Sequence, residues 1–145
     1  SVHVELFTPV NATYKDPELA SRWEDIISVR KEVTKALELA RKEKKIGHSL
    51  DASVSLGLSP ELMEKLTPYR EQLKSIFIVS SVDTKDFDRL EEGLENDTLP
   101  GLKVHITPSS NPKCERCWVH DSTVGHDSNH PTICERCLHT LAEME

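Results

Sequence analysis

The sequence predicts an α+β fold: a long amphipathic helix, then a small three-stranded α/β unit, then a compact cysteine-bearing knuckle. Three observations predict it. Leu19, Trp23, Ile26, Val33, Leu37 and Ala40 recur at spacings of three, four or seven, the period of one helix face. Three later stretches, beginning at Leu50, Ile76 and Leu102, alternate apolar with polar residues or run β-branched, which is the pattern of strands. All 4 cysteines fall in Cys114-Glu115-Arg116-Cys117 and Cys134-Glu135-Arg136-Cys137, two CxxC pairs separated by residues 118–133.

Composition bounds these elements. A length of 145 residues allows one or two small domains. With 37% hydrophobic and 30% charged residues the chain is of ordinary soluble type. Its longest purely apolar run, Ile76-Phe77-Ile78-Val79, is far short of a membrane span, so no membrane partner is expected. Ser1-Val2-His3-Val4-Glu5 carries charge at once and does not read as a targeting segment; without an initiator Met, a fragment or processed chain is expected. The net charge of −7 argues against non-specific polyanion binding by the whole surface. The charge is segregated, however. Residues 22–45 hold eight Lys/Arg against five Asp/Glu, while residues 83–97 hold two against seven.

Taken in order, residues 1–15 read as an entry segment. Asp16-Pro17 starts the long helix, with an acceptor at the N-cap and Pro at a position that needs no N–H. The spacing predicts a helix to about Lys45, with Lys44 and Lys45 at its negative end and Gly47 as the stop. Trp23 on the stripe reads as core rather than as a base-stacking platform. One such helix cannot bury its stripe alone, so partner helices are expected from outside this chain or from its later elements. Leu50 to Leu56 then alternates as a half-buried strand. Ser59-Pro60-Glu61 caps a helix carrying Leu62, Met63 and Leu66, and Thr67-Pro68 restarts it with Leu73 inward. Ile76 to Val82 reads as a buried strand, Thr84 to Leu94 as a short acidic helix, and Leu102 to Ile106 as a third strand. Boundaries follow at 1–48, 49–109 and 110–145, with Pro108 to Pro112 as the linker into the knuckle. Leu138 and Leu141 are expected to pack back from a terminal helix opened by the last CxxC.

The knuckle carries the chemistry. The thiolate is the metal-binding form of cysteine, and two intervening residues let both sulfurs of a pair reach one ion about 2.3 Å away. Two such pairs at this separation lie in the range read as zinc, so Cys114, Cys117, Cys134 and Cys137 are expected to hold one structural zinc per chain. Disulfides would suit a secreted mini-protein, and a redox CxxC normally occurs once beside a βαβ pattern; neither fits as well. Reduced cysteines point to the cytoplasm. His120, His126 and His130 lie between the pairs and stand as alternative ligands. Arg116 and Arg136 occupy matching places in the two pairs. Each is a phosphate-contact candidate or a solvated arginine beside its own Glu115 or Glu135. Arg41-Lys42-Glu43-Lys44-Lys45 is a solvated helix end or, as the densest basic cluster, a phosphate contact through Arg41, Lys44 and Lys45. There is no Gly-rich phosphate loop and no diagnostic Ser/His/Asp trio, and a closed metal site leaves no position for catalysis. On residues alone this is a metal-bearing binding module.

A family resemblance adds to this. Trp23, Arg30, Val33, Lys35-Ala36-Leu37-Glu38, Ala40-Arg41, Lys44, Lys45, Ile46-Gly47 and Ser49-Leu50-Asp51-Ala52 resemble the late anticodon-binding helix of bacterial-type isoleucyl-tRNA synthetases. Phe77-Ile78-Val79-Ser80 is similar to the strand after that family's helical domain. Lys113-Cys114-Glu115-Arg116-Cys117-Trp118, Gly125 and Ile133-Cys134-Glu135-Arg136-Cys137 resemble its C-terminal zinc finger. The resemblance covers about residues 20–142 and implies a tRNA-binding C-terminal region of an enzyme that activates isoleucine with ATP and esterifies it to its tRNA. It implies no catalytic site in this segment. Its partners would be the isoleucine tRNA and the remaining domains of the parent synthetase. Residues 1–48 would end the helical anticodon-binding domain. Arg116, Trp118 and Arg136 would face the RNA, Trp118 by stacking on a single-stranded base. The acidity is a departure from a tRNA-facing surface, which requires the acidic stretch to face away or the region to pack on the enzyme body. Two other readings stay open: a DNA-lesion-binding finger like that of the formamidopyrimidine-DNA glycosylases, and a purely structural zinc module.

Overall fold

The computed structural model of the protein describes Val4, residues 6–95 and residues 97–143. After an exposed entry segment, helix α1 spans Pro17–Lys42. Its start is as the sequence indicates: the Asp16 carboxylate accepts the Leu19 N–H at 2.9 Å, and Pro17 opens the first turn. Its end is not. The helix stops three residues early, before Gly47, because Lys44 takes the left-handed conformation at φ 60°. The Lys45 N–H bonds the Ala40 carbonyl and the Lys44 N–H bonds the Arg41 carbonyl, the two bonds of a Schellman motif. The apolar stripe also divides. Ile26, Val29, Val33, Ala36, Leu37 and Ala40 are buried, whereas Leu19, Trp23 and Ile27 remain 37–44% exposed. Trp23 is therefore not a core residue; its ring is tilted against Tyr69 with centroids 6.4 Å apart.

Strand β1 (Ala52–Leu58) lies at the centre of the sheet. Ala52, Val54, Leu56 and Leu58 point to the face covered by α1 and the following helices, each at most 1% exposed. Removing a side chain of this size from water contributes about 1.5–3 kcal/mol. The next helices are α2 (Pro60–Leu66) and α3 (Leu73–Phe77), joined by a 3-10 turn over Thr67–Gln72. Here the sequence reading of Ile76 to Val82 as one strand is corrected. Phe77 closes α3, Ile78 takes a left-handed turn at φ 58°, and strand β2 begins only at Ser81 and runs to Asp86. A short apolar run reports burial, not conformation, and a helix end buries Leu73 and Phe77 as well as a strand would. The Arg30 guanidinium ties α1 to this corner by donating to the Ile76 carbonyl at 2.9 Å.

The expected acidic helix is absent as well. Its first residues belong to β2, Phe87–Arg89 forms one 3-10 turn, and Leu94–Glu95 forms a two-residue strand, β3. Asp86 makes no side-chain cap bond, and repulsion within the acidic run works against a helix. Lys103 gathers the segment instead, donating to the Leu90 carbonyl at 3.0 Å, lying over the Phe87 ring and pairing with Glu95 at 3.1 Å. Among the described residues the sheet thus has four strands rather than three, in the order β2-β1-β4-β3, with β4 spanning Leu102–Pro108. β1 runs parallel to β2 and antiparallel to β4, with Val54 opposite both Val82 and Ile106. From β4 the chain passes directly into the knuckle. Among the described residues no helix is long and apolar enough to cross a membrane.

Candidate metal centre and nucleic-acid face

The first CxxC is a tight turn. The Cys114 N–H bonds the Val119 carbonyl at 2.9 Å, the Trp118 N–H returns to the Cys114 carbonyl at 2.8 Å, and Lys113 bridges His120 in antiparallel fashion. The second CxxC is the first turn of helix α4 (Glu135–Ala142), with Cys134 as its N-cap. The Glu115 N–H to the Thr132 carbonyl and the Glu135 N–H to the Thr123 hydroxyl, both 3.0 Å, lock the two turns together. Leu138 and Leu141 pack back on this cluster.

The four sulfurs all lie within 4.8 Å of one another. Cys114 and Cys137 are 3.8 Å apart, and Cys117 and Cys134 are 3.7 Å apart. These separations are far too long for disulfides, which need about 2.05 Å. A tetrahedron of sulfurs about 2.3 Å from a central zinc has edges of roughly 3.8 Å. The donor set therefore fits one structural zinc, with three sulfurs buried and Cys117 partly so. Among the described residues the cluster contains no histidine. His126 and His130 are exposed, and His120 turns its Nδ1 to the Asn111 carbonyl at 2.7 Å.

The protein prepares these sulfurs unequally. Burial opposes charge on Cys114, but N–H groups of Cys117, Cys134 and Arg116 outweigh it and bring that thiol down to about 6. Burial, with neighbouring thiols adding to it, pushes Cys134 up to about 12. The Cys114 thiolate thus forms readily, and a metal must displace the proton of Cys134. When zinc is bound, four thiolates and one divalent cation leave a net charge of −2. Arg136 stands beside that charge: the Cys117 sulfur, as hydrogen-bond acceptor, raises the guanidinium above its ordinary value.

Of the basic candidates, Arg116 is exposed and, among the described residues, in no ion pair, whereas Arg136 is exposed but tied to the sulfurs. Trp118 is 60% exposed and sits at φ 65°. At the end of α1, Arg41 pairs with Glu38, and Lys45 pairs with Glu43 at 2.8 Å. Lys45 is also close enough to Glu92 to be raised by it, after the larger effect of the Glu43 hydrogen bond. The acidic segment thus faces the basic helix end and partly neutralises it, leaving Lys42 and Lys44 as exposed cations without an ion pair among the described residues.

Sequence reasoning missed the seam that fixes the knuckle on the sheet. The His120 N–H donates to the Ser80 hydroxyl at 2.7 Å, and Ser80 in turn donates to the Leu50 carbonyl. Asp51 receives the His48 N–H at 2.7 Å, with Lys113 at 3.4 Å and His120 at 3.5 Å on its other oxygen. These residues are distant in sequence, so no local spacing announces them.

Comparison with known proteins agrees with this geometry. The zinc finger found in FPG and IleRS matches residues 111–140. The chain is 44% identical over 147 residues to the isoleucine–tRNA ligase of Syntrophotalea carbinolica, covering 99% of this chain and 15% of that protein. The ligases of Geobacter sulfurreducens and Moorella thermoacetica are 43% and 40% identical over 94% and 99% of the chain. The chain spans only about 15% of the length of these relatives. Its knuckle is thus a zinc finger of the kind found in FPG and IleRS, carried in a chain that matches one region of the isoleucine–tRNA ligases over nearly its whole length.

Proposed function

We propose that this chain is the C-terminal tRNA-binding region of an isoleucine–tRNA ligase, contacting the anticodon side of the tRNA. The parent enzyme attaches isoleucine to tRNA using ATP in the cytoplasm. Residues 1–48 end the helical anticodon-binding domain, 49–109 form the α/β unit, and 110–145 form the finger. Zinc, when bound to Cys114, Cys117, Cys134 and Cys137, supplies a closed structural cross-link and no coordination position for chemistry. What the chain's own residues do is hold a face. The observation that carries the reading is Trp118: a bulky residue in left-handed backbone, held there by the Cys114 carbonyl, with most of its indole in solvent. Such a conformation costs about 1–2 kcal/mol for a residue with a Cβ, and glycine would meet the turn's need without it. A strained, exposed aromatic beside an exposed Arg116 suits stacking on an unstacked base and pairing with its phosphate. Arg136, Arg41, Lys44 and Lys45 provide further cationic surface. Leu19, Trp23 and Ile27 form the face on which the remaining synthetase domains pack.

A competition titration of the zinc-loaded chain tests this, setting isoleucine tRNA against a non-cognate tRNA and a lesion-containing DNA duplex. Preference for the isoleucine tRNA, reduced in Trp118→Ala, is the expected result. Preference for the lesion duplex would favour the glycosylase-like role, and binding to none of the three would favour a purely structural zinc module.

A further inference from the structure

A cavity of about 170 Å³ lies on the seam between the sheet and the knuckle. Leu50 and Ile78 from the α/β side and Val119 from the knuckle give it apolar walls, while Lys74, Asp121 and Arg136 supply charge. At about 30 Å³ of liquid per water it holds a group worth five or six waters, which is one ring rather than a larger ligand. Lys74 is exposed and in no ion pair among the described residues. Arg136 has five N–H donors, more than its contact with Cys117 uses. Asp121 Oδ1 accepts the Thr123 N–H at 2.9 Å and the Thr123 hydroxyl at 2.7 Å, which leaves Oδ2 for a donor. Those Thr123 bonds, with Lys74 and Arg136 behind them, hold the Asp121 carboxyl below its ordinary value, so it is an ionised acceptor at neutral pH. Ile78, a β-branched residue, sits at φ 58° with its side chain half exposed on the cavity wall. A β-branched residue is a backbone outlier there, and it is held by the end of α3, with the Ile78 N–H on the Ser75 carbonyl at 3.3 Å and the Val79 N–H on the Lys74 carbonyl at 3.0 Å.

We propose that this seam cavity seats one unstacked nucleobase of a single-stranded RNA, with the base's exocyclic amino group on Asp121 and its phosphate on Lys74 and Arg136. The proposal rests on the RNA-binding reading above and deepens it. Aliphatic walls take the flat face of a base, and the separate anionic and cationic groups match a nucleotide's N–H edge and phosphate. Uracil, with a keto oxygen where cytosine carries its exocyclic amine, is disfavoured.

The test titrates the zinc-loaded chain with isoleucine tRNA and with labelled oligocytidine and oligouridine. The wild-type chain should prefer oligocytidine roughly tenfold, the scale of one hydrogen bond to a charged group. Asp121→Asn keeps an oxygen for Thr123 but presents an amide N–H, and should shift preference toward oligouridine. Lys74→Ala should weaken both oligonucleotides equally and lower the salt slope by about one. Ile78→Gly should raise the melting temperature yet weaken oligocytidine binding, a pairing that a merely structural residue would not give. Unchanged oligonucleotide binding in all three variants, with tRNA binding intact, would overturn the seat and leave the tRNA reading standing. Absence of tRNA binding by the wild-type chain would overturn both.

Discussion

The sheet with its helices and the knuckle reach stability by opposite routes. The first buries aliphatic side chains from α1, β1, α2, α3 and β4 in one cluster, with Val29, Val33, Leu56 and Leu73 wholly removed from solvent. The knuckle's cluster consists of Ile133 and three buried cysteines, with little else fully enclosed. Transfer of apolar surface can hold the first region together unaided. The second has too little such surface, and the metal–thiolate bonds must supply its folding energy. The difference teaches what the knuckle can present to solvent. A metal fixes a short, irregular turn and its strained Trp118 without burying them.

The sharpest break in this comparison is Cys134→Ser. Structural zinc binds with about 10–16 kcal/mol in finger peptides, so this variant should release zinc and unfold residues 113–142, while the sheet keeps its amide protection. Retained zinc with unchanged melting would contradict the four-cysteine assignment. Leu56→Ala is the converse. It should cost about 2–5 kcal/mol in the sheet without loss of zinc, as read by thermal melting and metal analysis.

The seam between the regions gives a smaller, pH-dependent effect. Burial raises the Asp51 carboxyl, but the His48 N–H, Lys113 and His120 together hold it below its ordinary 3.8. A group with a depressed folded pKa stabilises fully above its unfolded value, and that contribution is lost as pH falls through the folded value. The seam is therefore intact at neutral pH and weakens below about pH 4. Asp51→Asn should flatten this acid limb of stability and loosen the knuckle at neutral pH, with the melting of β1 little changed. The smallest effect is a gain: Lys44→Gly at the left-handed end of α1 should stabilise by about 1 kcal/mol, since glycine meets no Cβ penalty there.

What the sequence made legible was local. Asp16-Pro17 announces the start of α1 because a cap needs only adjacent residues, and two CxxC pairs announce a metal because the ligand spacing is itself the signal. The alternation from Leu50 located β1 within two residues of Ala52. The rest depended on partners distant in the chain. Ile76 to Val82 is apolar enough for a strand, and only packing against α1 decides that it first ends a helix. β3 is two residues long and exists because β4 offers Val104 and Lys103 as pairing partners. Lys44, rather than Gly47, ends α1 because the Ala40 and Arg41 carbonyls are capped there. The Asp51–His120–Ser80 seam and the cavity beside Asp121 join residues that no motif connects.

The most direct measurement is a titration of isoleucine tRNA into the zinc-loaded chain and into the chain stripped of zinc by a chelator, with amide exchange of β1 followed in both. The account predicts that stripping abolishes tRNA affinity while Val54 and Leu56 stay protected. Equal affinity in the two states would contradict it, since the knuckle would then not be the face that meets the RNA.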